Sequence, residues 1–278
     1  MATDTAVIDS EQYTGSSFDL QQYLSRSKQL DLTGVEWDEA ADYPVEEGEV
    51  RCLQYMMDIE AHTLCYLRDV LNANAGADRE IADFVACWLF EESYHGRAIE
   101  QFFRSRGEAL SPAVCGQHRP SLTEHLENAG TFAFSRLFPE QFLTTYMAWG
   151  AIQEHTTLFG YTNLARRTQN PVLADILTRI ARQESRHFGF YYYKAYQGLR
   201  DSRFTQKMVS AMLSRFWTPV GEGVKPARET DYLLLYIFAD AEGRDAIDRI
   251  DRTMARLPGL GWFNLLHGRF EQAARRSS

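Results

Sequence analysis

Two tetrads of one form, Glu92-Ser93-Tyr94-His95 and Glu184-Ser185-Arg186-His187, constrain what this chain can fold into. Each lies in a stretch of helical periodicity. Three residues along an α-helix turn through about 300° and rise about 4.5 Å, so the glutamate and the histidine project from one face. A carboxylate and an imidazole stacked in this way can grip one side of a metal ion. One Glu-x-x-His arises by chance in many helices. Two of them ask whether neighbouring helices carry further inward acids.

From about Glu49, Leu53, Met57, Glu60, Leu64 and Leu67 recur at spacings of three and four, predicting a helix that ends near Asn72. Asn74-Ala75-Gly76 supplies a turn and Asp78 an N-cap. A second helix then runs to about Arg106, with Ile81, Val85, Trp88, Glu92, His95, Ile99 and Phe102 on one face and Gly107 as its stop. The next connection, to near Pro139, is about 30 residues long, which is uncommon inside a compact domain. A bundle whose second and third helices run parallel needs such a crossover. The third helix covers about Glu140–Thr168 and aligns Met147, Ala151, Glu154, Leu158 and Tyr161. Asn170-Pro171 breaks and restarts the chain, because proline suits a first helical turn. The fourth helix, to about Leu199, aligns Leu173, Leu177, Ile180, Glu184, His187 and Tyr191.

Two more helices are expected near Ser202–Arg215 and Glu229–Leu257, across a Pro/Gly-rich loop at Thr218–Pro226, with Pro258-Gly259 ending the last. The expected fold is all-α: a ferritin-like four-helix bundle with a long crossover between helices two and three and additional C-terminal helices. It forms one domain over 1–278: an N-terminal strap at 1–48 with a short helix near Phe18–Arg26, a core at about 49–200, and added helices at about 201–278.

Glu60 and Glu154 therefore stand in otherwise apolar stripes, where a carboxylate is costly unless paired or bound to metal. With the tetrads they make an inward set of Glu60, Glu92, His95, Glu154, Glu184 and His187. One Glu from each of two helices and Glu-x-x-His from two others is the known pattern of di-iron and di-manganese carboxylate bundles. Carboxylate oxygens suit such ions, an imidazole for each completes the set, and four carboxylates offset two divalent charges. Any one of these residues alone is more often a hydrogen-bonded core group. Thr157, one turn after Glu154, shares its face, where a hydroxyl stands near the place oxygen would occupy; a helical threonine also commonly bonds its own backbone. Glu91 and Asp58 fall off the inward face and are expected in solvent. His62 and His155 should point away from the site, at the surface or in a supporting role, and the Phe188–Tyr193 aromatics should pack against the added helices.

The bulk properties narrow the partners. A net charge of −9 argues against nucleic acid or an anionic membrane surface, and no apolar run is long enough to span a membrane. Met1–Ser10 lacks the basic-then-apolar order of a signal peptide, and Cys52, Cys65, Cys87 and Cys115 form no Cys-x-x-Cys, so a cytoplasmic protein with reduced thiols is expected.

At Ile59-Glu60-Ala61, Glu91-Glu92-Ser93-Tyr94-His95, Gln153-Glu154-His155-Thr156-Thr157 and Gln183-Glu184-Ser185-Arg186-His187, the chain resembles the soluble acyl-carrier-protein desaturases, the plant stearoyl type and their actinobacterial relatives. The resemblance runs from about Gln54 to Leu199, and Arg252–Gly261 is similar to the end of the last helix in the bacterial members. It implies two iron ions, with manganese an alternative at one position, held by Glu60, Glu92, His95, Glu154, Glu184 and His187. It also implies Thr157 as the oxygen-proximal hydroxyl, acyl carrier protein as the substrate's carrier, a ferredoxin-type electron donor and a homodimer. Gln183 stands where the family has an aspartate that supports a histidine ligand; an amide can hold an imidazole but brings no charge. The same six ligands also serve hydroxylases and N-oxygenases, iron stores and radical-generating subunits. Arg166, Arg167, Arg179, Arg182 and Arg186 are candidates for a basic docking patch, ordinary solvated charge being the alternative.

Overall fold

A computed structural model of the chain describes residues 15–72, 78–110, 133–222 and 224–277, with backbone alone over 64–72. Regular structure among them is helical, apart from one isolated bridge between Glu222 and Lys225. The helices are α1 (Leu20–Arg26), α2 (Glu47–Asn72), α3 (Arg79–Ser105), α4 (Pro139–Arg167), α5 (Pro171–Leu199), α6 (Arg203–Phe216), α7 (Ala227–Phe238), α8 (Ala241–Ala255) and α9 (Leu265–Ser277). The arrangement is compatible with the expected ferritin-like bundle. The middle of the crossover, 111–132, and Cys115 with it, lie outside the described residues, as do the side chains of Cys65, Leu64 and Leu67.

Local chemistry sets the helix ends. The Asp78 carboxylate accepts from Glu80 N and Ile81 N at the start of α3, and Asn170 accepts from Leu173 N ahead of Pro171 at the start of α5. Ser202 caps α6 by accepting from Thr205 N. The inward positions of α3, α4 and α5 predicted from periodicity are all buried. α2 packs on α3 and α4 on α5. The second contact is close: a Cβ on Gly150 would stand 2.4 Å from the ring of buried Tyr191. Gly150→Ala gains about 1 kcal/mol of helix propensity but overpacks a fixed ring, which costs about 1–3 kcal/mol. A net loss of up to about 2 kcal/mol is expected, read as a lower melting temperature; a higher one would contradict this packing.

Two expectations about the C-terminal part are corrected. The single helix at Glu229–Leu257 is two, α7 and α8, because Asp240 turns its carboxylate onto Gly243 N at 2.7 Å and starts a new helix. The chain does not end its helices at Pro258: α9 follows, with Leu266 N and His267 N donating to Asp251 of α8 at 3.2 and 2.9 Å. Buried Arg269 on α9 pairs with Asp231 on α7 at 2.5 Å and with Glu222 at 3.3 Å, tying the added helices together. Cys52 is a buried free thiol and Cys87 a partly buried one; burial pushes the Cys52 thiol up to about 12, which makes it unreactive. Among the described residues no helix is long and apolar enough to cross a membrane.

Candidate metal centre

Four helices bring the six expected side chains to one buried space. One ligand atom from each of Glu60, Glu92, His95 and Glu184 lies within 4.8 Å of the others, and so does one from each of Glu92, Glu154, Glu184 and His187. Glu92 and Glu184 belong to both groups; Glu60 and His95 belong to one, Glu154 and His187 to the other. The His187 Nδ1 atom stands 2.8 Å from Glu92, 3.5 Å from Glu184 and 3.7 Å from Glu154. His95 Nδ1 stands 3.2 Å from Glu184 and 3.5 Å from Glu92. Glu92 Oε1, Glu184 Oε1 and both Nδ1 atoms make no hydrogen bond among the described residues. Buried polar atoms are nearly always satisfied, so this inward-facing donor set fits a cation and could hold one.

The outer atoms are occupied. Tyr161 OH donates to Glu60 at 2.5 Å and Trp88 Nε1 to Glu154 at 3.2 Å, so each unshared glutamate has one aromatic donor. His187 Nε2 donates to Glu91 Oε2 at 2.7 Å. Glu91 therefore departs from the expectation of a solvated carboxylate: it is fully buried, and also accepts from Tyr23 OH at 3.1 Å, Lys28 N at 3.3 Å and Arg186 at 3.2 Å. The N-terminal strap covers the face of α3 that periodicity assigned to water. Asp58 is corrected likewise: it is buried, ion-paired with Lys225 and bonded to Gln54. His95 Nε2 meets Gln183 Oε1 at 2.8 Å, and the Gln183 amide orientation follows from its Nε2 donating to the Lys28 carbonyl at 3.1 Å.

Other expectations divide. His155 does turn from the cluster, but it is buried rather than supporting: it stacks on Phe188 with ring centroids 4.1 Å apart, and burial lowers it to about 3, so it stays neutral. His62 bonds the Asp58 carbonyl through Nδ1. Tyr192 OH donates to Thr253 O on α8, as expected, but Phe190 stacks on Phe84 and Tyr191 meets Phe84 and Trp88, so those two rings pack inside the bundle against α3 and not on the added helices. Of the arginines considered for docking, Arg166 pairs with Asp240, Arg167 donates to the Tyr236 carbonyl, Arg179 pairs with Asp175, and Arg186 with Glu91; Arg182 is exposed.

Four buried carboxylates around two imidazoles repel one another in a medium where charge is poorly screened. Burial, reinforced by the charges of neighbouring glutamates, pushes Glu60 and Glu154 well above the usual carboxylate range. Burial also acts to raise Glu92 and Glu184, but the facing histidines override it and hold both below that range. Burial acts to lower His95 and His187, and the surrounding glutamates override it, so both are raised. Divalent cations would remove this frustration by replacing protons.

Thr157 Oγ1 donates to Glu184 Oε2 at 3.3 Å and to the Glu154 carbonyl at 3.0 Å, combining a cluster contact with the backbone bond usual for threonine. Thr157, Glu60 and Tyr161 also line a small apolar cavity of about 30 Å³ completed by Ile59, Val220, Leu234 and Phe238. The cluster thus borders a small apolar space.

An all-α bundle with a buried glutamate–histidine cluster able to take metal is the class of protein that fold and site define. Residues 61–219, more than half of the chain, match the family model described as fatty acid desaturase, and the chain belongs to that family. No curated protein and no solved structure matches the chain. Family membership makes it an oxidoreductase of fatty-acid metabolism. Glu60 precedes the matched span by one residue, and the fold brings it into the cluster.

Proposed function

We propose that the chain is an oxygen-dependent di-iron desaturase that introduces a double bond into an acyl chain carried on acyl carrier protein, with electrons from a ferredoxin-type donor, acting as a homodimer. The observation that carries this reading is the pair of four-residue groups sharing Glu92 and Glu184 beside an apolar cavity. Glu60, Glu92, His95 and Glu184 would hold one ion; Glu92, Glu154, Glu184 and His187 the other. When bound, the irons supply the electron storage and oxygen chemistry needed to remove hydrogen from an unactivated C–H bond. The chain's residues do the rest. Glu92 and Glu184 would contribute an oxygen to each of the two positions, and Tyr161 and Trp88 fix the carboxylates of Glu60 and Glu154. The apolar side chains beside Thr157 and Glu60 enclose only about 30 Å³, so they would have to part to admit an acyl chain there, where they would exclude water.

Thr157 is the proposed catalytic hydroxyl, able to donate a hydrogen bond or proton at the cavity edge. Thr157→Val is expected to keep both ions and lower product formation about 100-fold; full activity in the variant would remove Thr157 from the mechanism. The reading as a whole is tested by anaerobic iron loading, then reduced ferredoxin, oxygen and a panel of acyl carriers, followed by mass. Loss of two hydrogens from the acyl group means desaturation. Gain of one oxygen means hydroxylation and would replace the proposed reaction, and no acyl product with any carrier would defeat it.

A further inference from the structure

The two histidines face the cluster alike but are supported differently from behind. His187 Nε2 meets a carboxylate, Glu91, itself braced by Arg186, Tyr23 and the Lys28 amide. His95 Nε2 meets an uncharged amide, Gln183. The strap explains why an amide stands there. Lys28 uses both halves of its main chain: its N–H donates to Glu91, while its C=O accepts from Gln183 Nε2. A group between an imidazole N–H and a carbonyl oxygen must accept on one side and donate on the other. Glutamine does both; a carboxylate would turn an acceptor toward the Lys28 carbonyl.

A carboxylate behind a ligating histidine raises its basicity and so its hold on a metal ion, and outer partners of this kind are worth roughly 10–100-fold in affinity. Resting on the two-ion reading above, we infer that the two positions are unequal: the one built with Glu60 and His95 binds a divalent cation at least about tenfold more weakly than the one built with Glu154 and His187, and Gln183 is the positioning residue that sets the difference. The chain then fills in a fixed order, the His187 position first.

Because two adjacent cations repel, any two-ion site fills in unequal steps, and titration of the unaltered chain alone does not decide the matter. Single-position variants do. Glu60→Ala spoils only the His95 position and Glu154→Ala only the His187 position, and each loses one glutamate held by one aromatic donor. Co²⁺ titration of each full-length variant, followed by visible absorption and equilibrium dialysis, is expected to give a dissociation constant at least about tenfold larger in Glu154→Ala than in Glu60→Ala. Equal constants, or the reverse order, would overturn the inference. Gln183→Glu leaves all six donors in place and keeps the count informative if either alanine variant misfolds. It is expected to draw the two steps closer together, and an unchanged gap would also overturn the inference. Failure of the two-ion reading is separately visible: the unaltered chain would then take up fewer than two Co²⁺.

Discussion

Replacing Glu184 with alanine is expected to abolish stable two-ion binding and the reaction with it, a larger loss than from any other single ligand except Glu92. The reason is geometric: Glu184 contributes an oxygen to both four-residue groups, whereas Glu60 and Glu154 each serve one. Partners behind a ligand already cost roughly 10–100-fold in affinity when removed, so deleting a shared ligand should weaken both positions by at least about 100-fold. Metal analysis after anaerobic loading and gel filtration checks this. Glu184→Ala should retain no stoichiometric iron and Glu154→Ala about one ion per chain, with the helical far-UV spectrum kept in both. Two ions retained by both variants would show that the ligand assignment is wrong.

The ligand groups themselves were legible in the sequence because they lie on helices whose periodicity is unambiguous. Glu92 and His95 fall in register with Ile81, Val85, Trp88, Ile99 and Phe102, all buried, and once that face is inward their direction is fixed. What the sequence hid was made by contacts between distant segments. Glu91 sits about 100° round the helix from Glu92, on a face that α3 alone would leave in water; Tyr23 and Lys28, more than sixty residues earlier, bury it. Asp58 is claimed in the same way by Lys225. The start of α9 is held by Asp251 of another helix, a long-range contact that the sequence does not show. The break between α7 and α8 is different, because Asp240 followed three residues later by Gly243 is a local cap signal. The unbroken apolar pattern on either side obscured it. Gln183 was visible as a departure from the family pattern, but its reason, the Lys28 carbonyl, appears only when the strap is laid against α5.

Metal loading should stabilise the protein strongly, and more so as pH rises. In the metal-free chain Glu60 and Glu154 have raised folded values. Their contribution is therefore full below the unfolded carboxylate range and is lost as pH climbs through the folded values. His95 and His187 are also raised, so theirs is full below about 6.5 and lost above it. Glu92 and Glu184 are depressed and work the other way, contributing above the unfolded carboxylate range and losing that contribution on acidification. The metal-free chain should consequently be most stable at mildly acidic pH and weaken from about pH 6 to pH 8. Cations reverse the slope, because they need the carboxylates and both Nδ1 atoms free of protons. At a hundredfold excess over the dissociation constant each ion adds about 2.7 kcal/mol, so two add about 5 kcal/mol. At about 2–4 °C for each kcal/mol, the melting temperature should rise by about 10 °C or more at pH 8 and by less at pH 6. Calorimetry with and without Co²⁺ at the two pH values measures the difference; a gain that is the same at both would mean that the cation does not replace protons in this cluster.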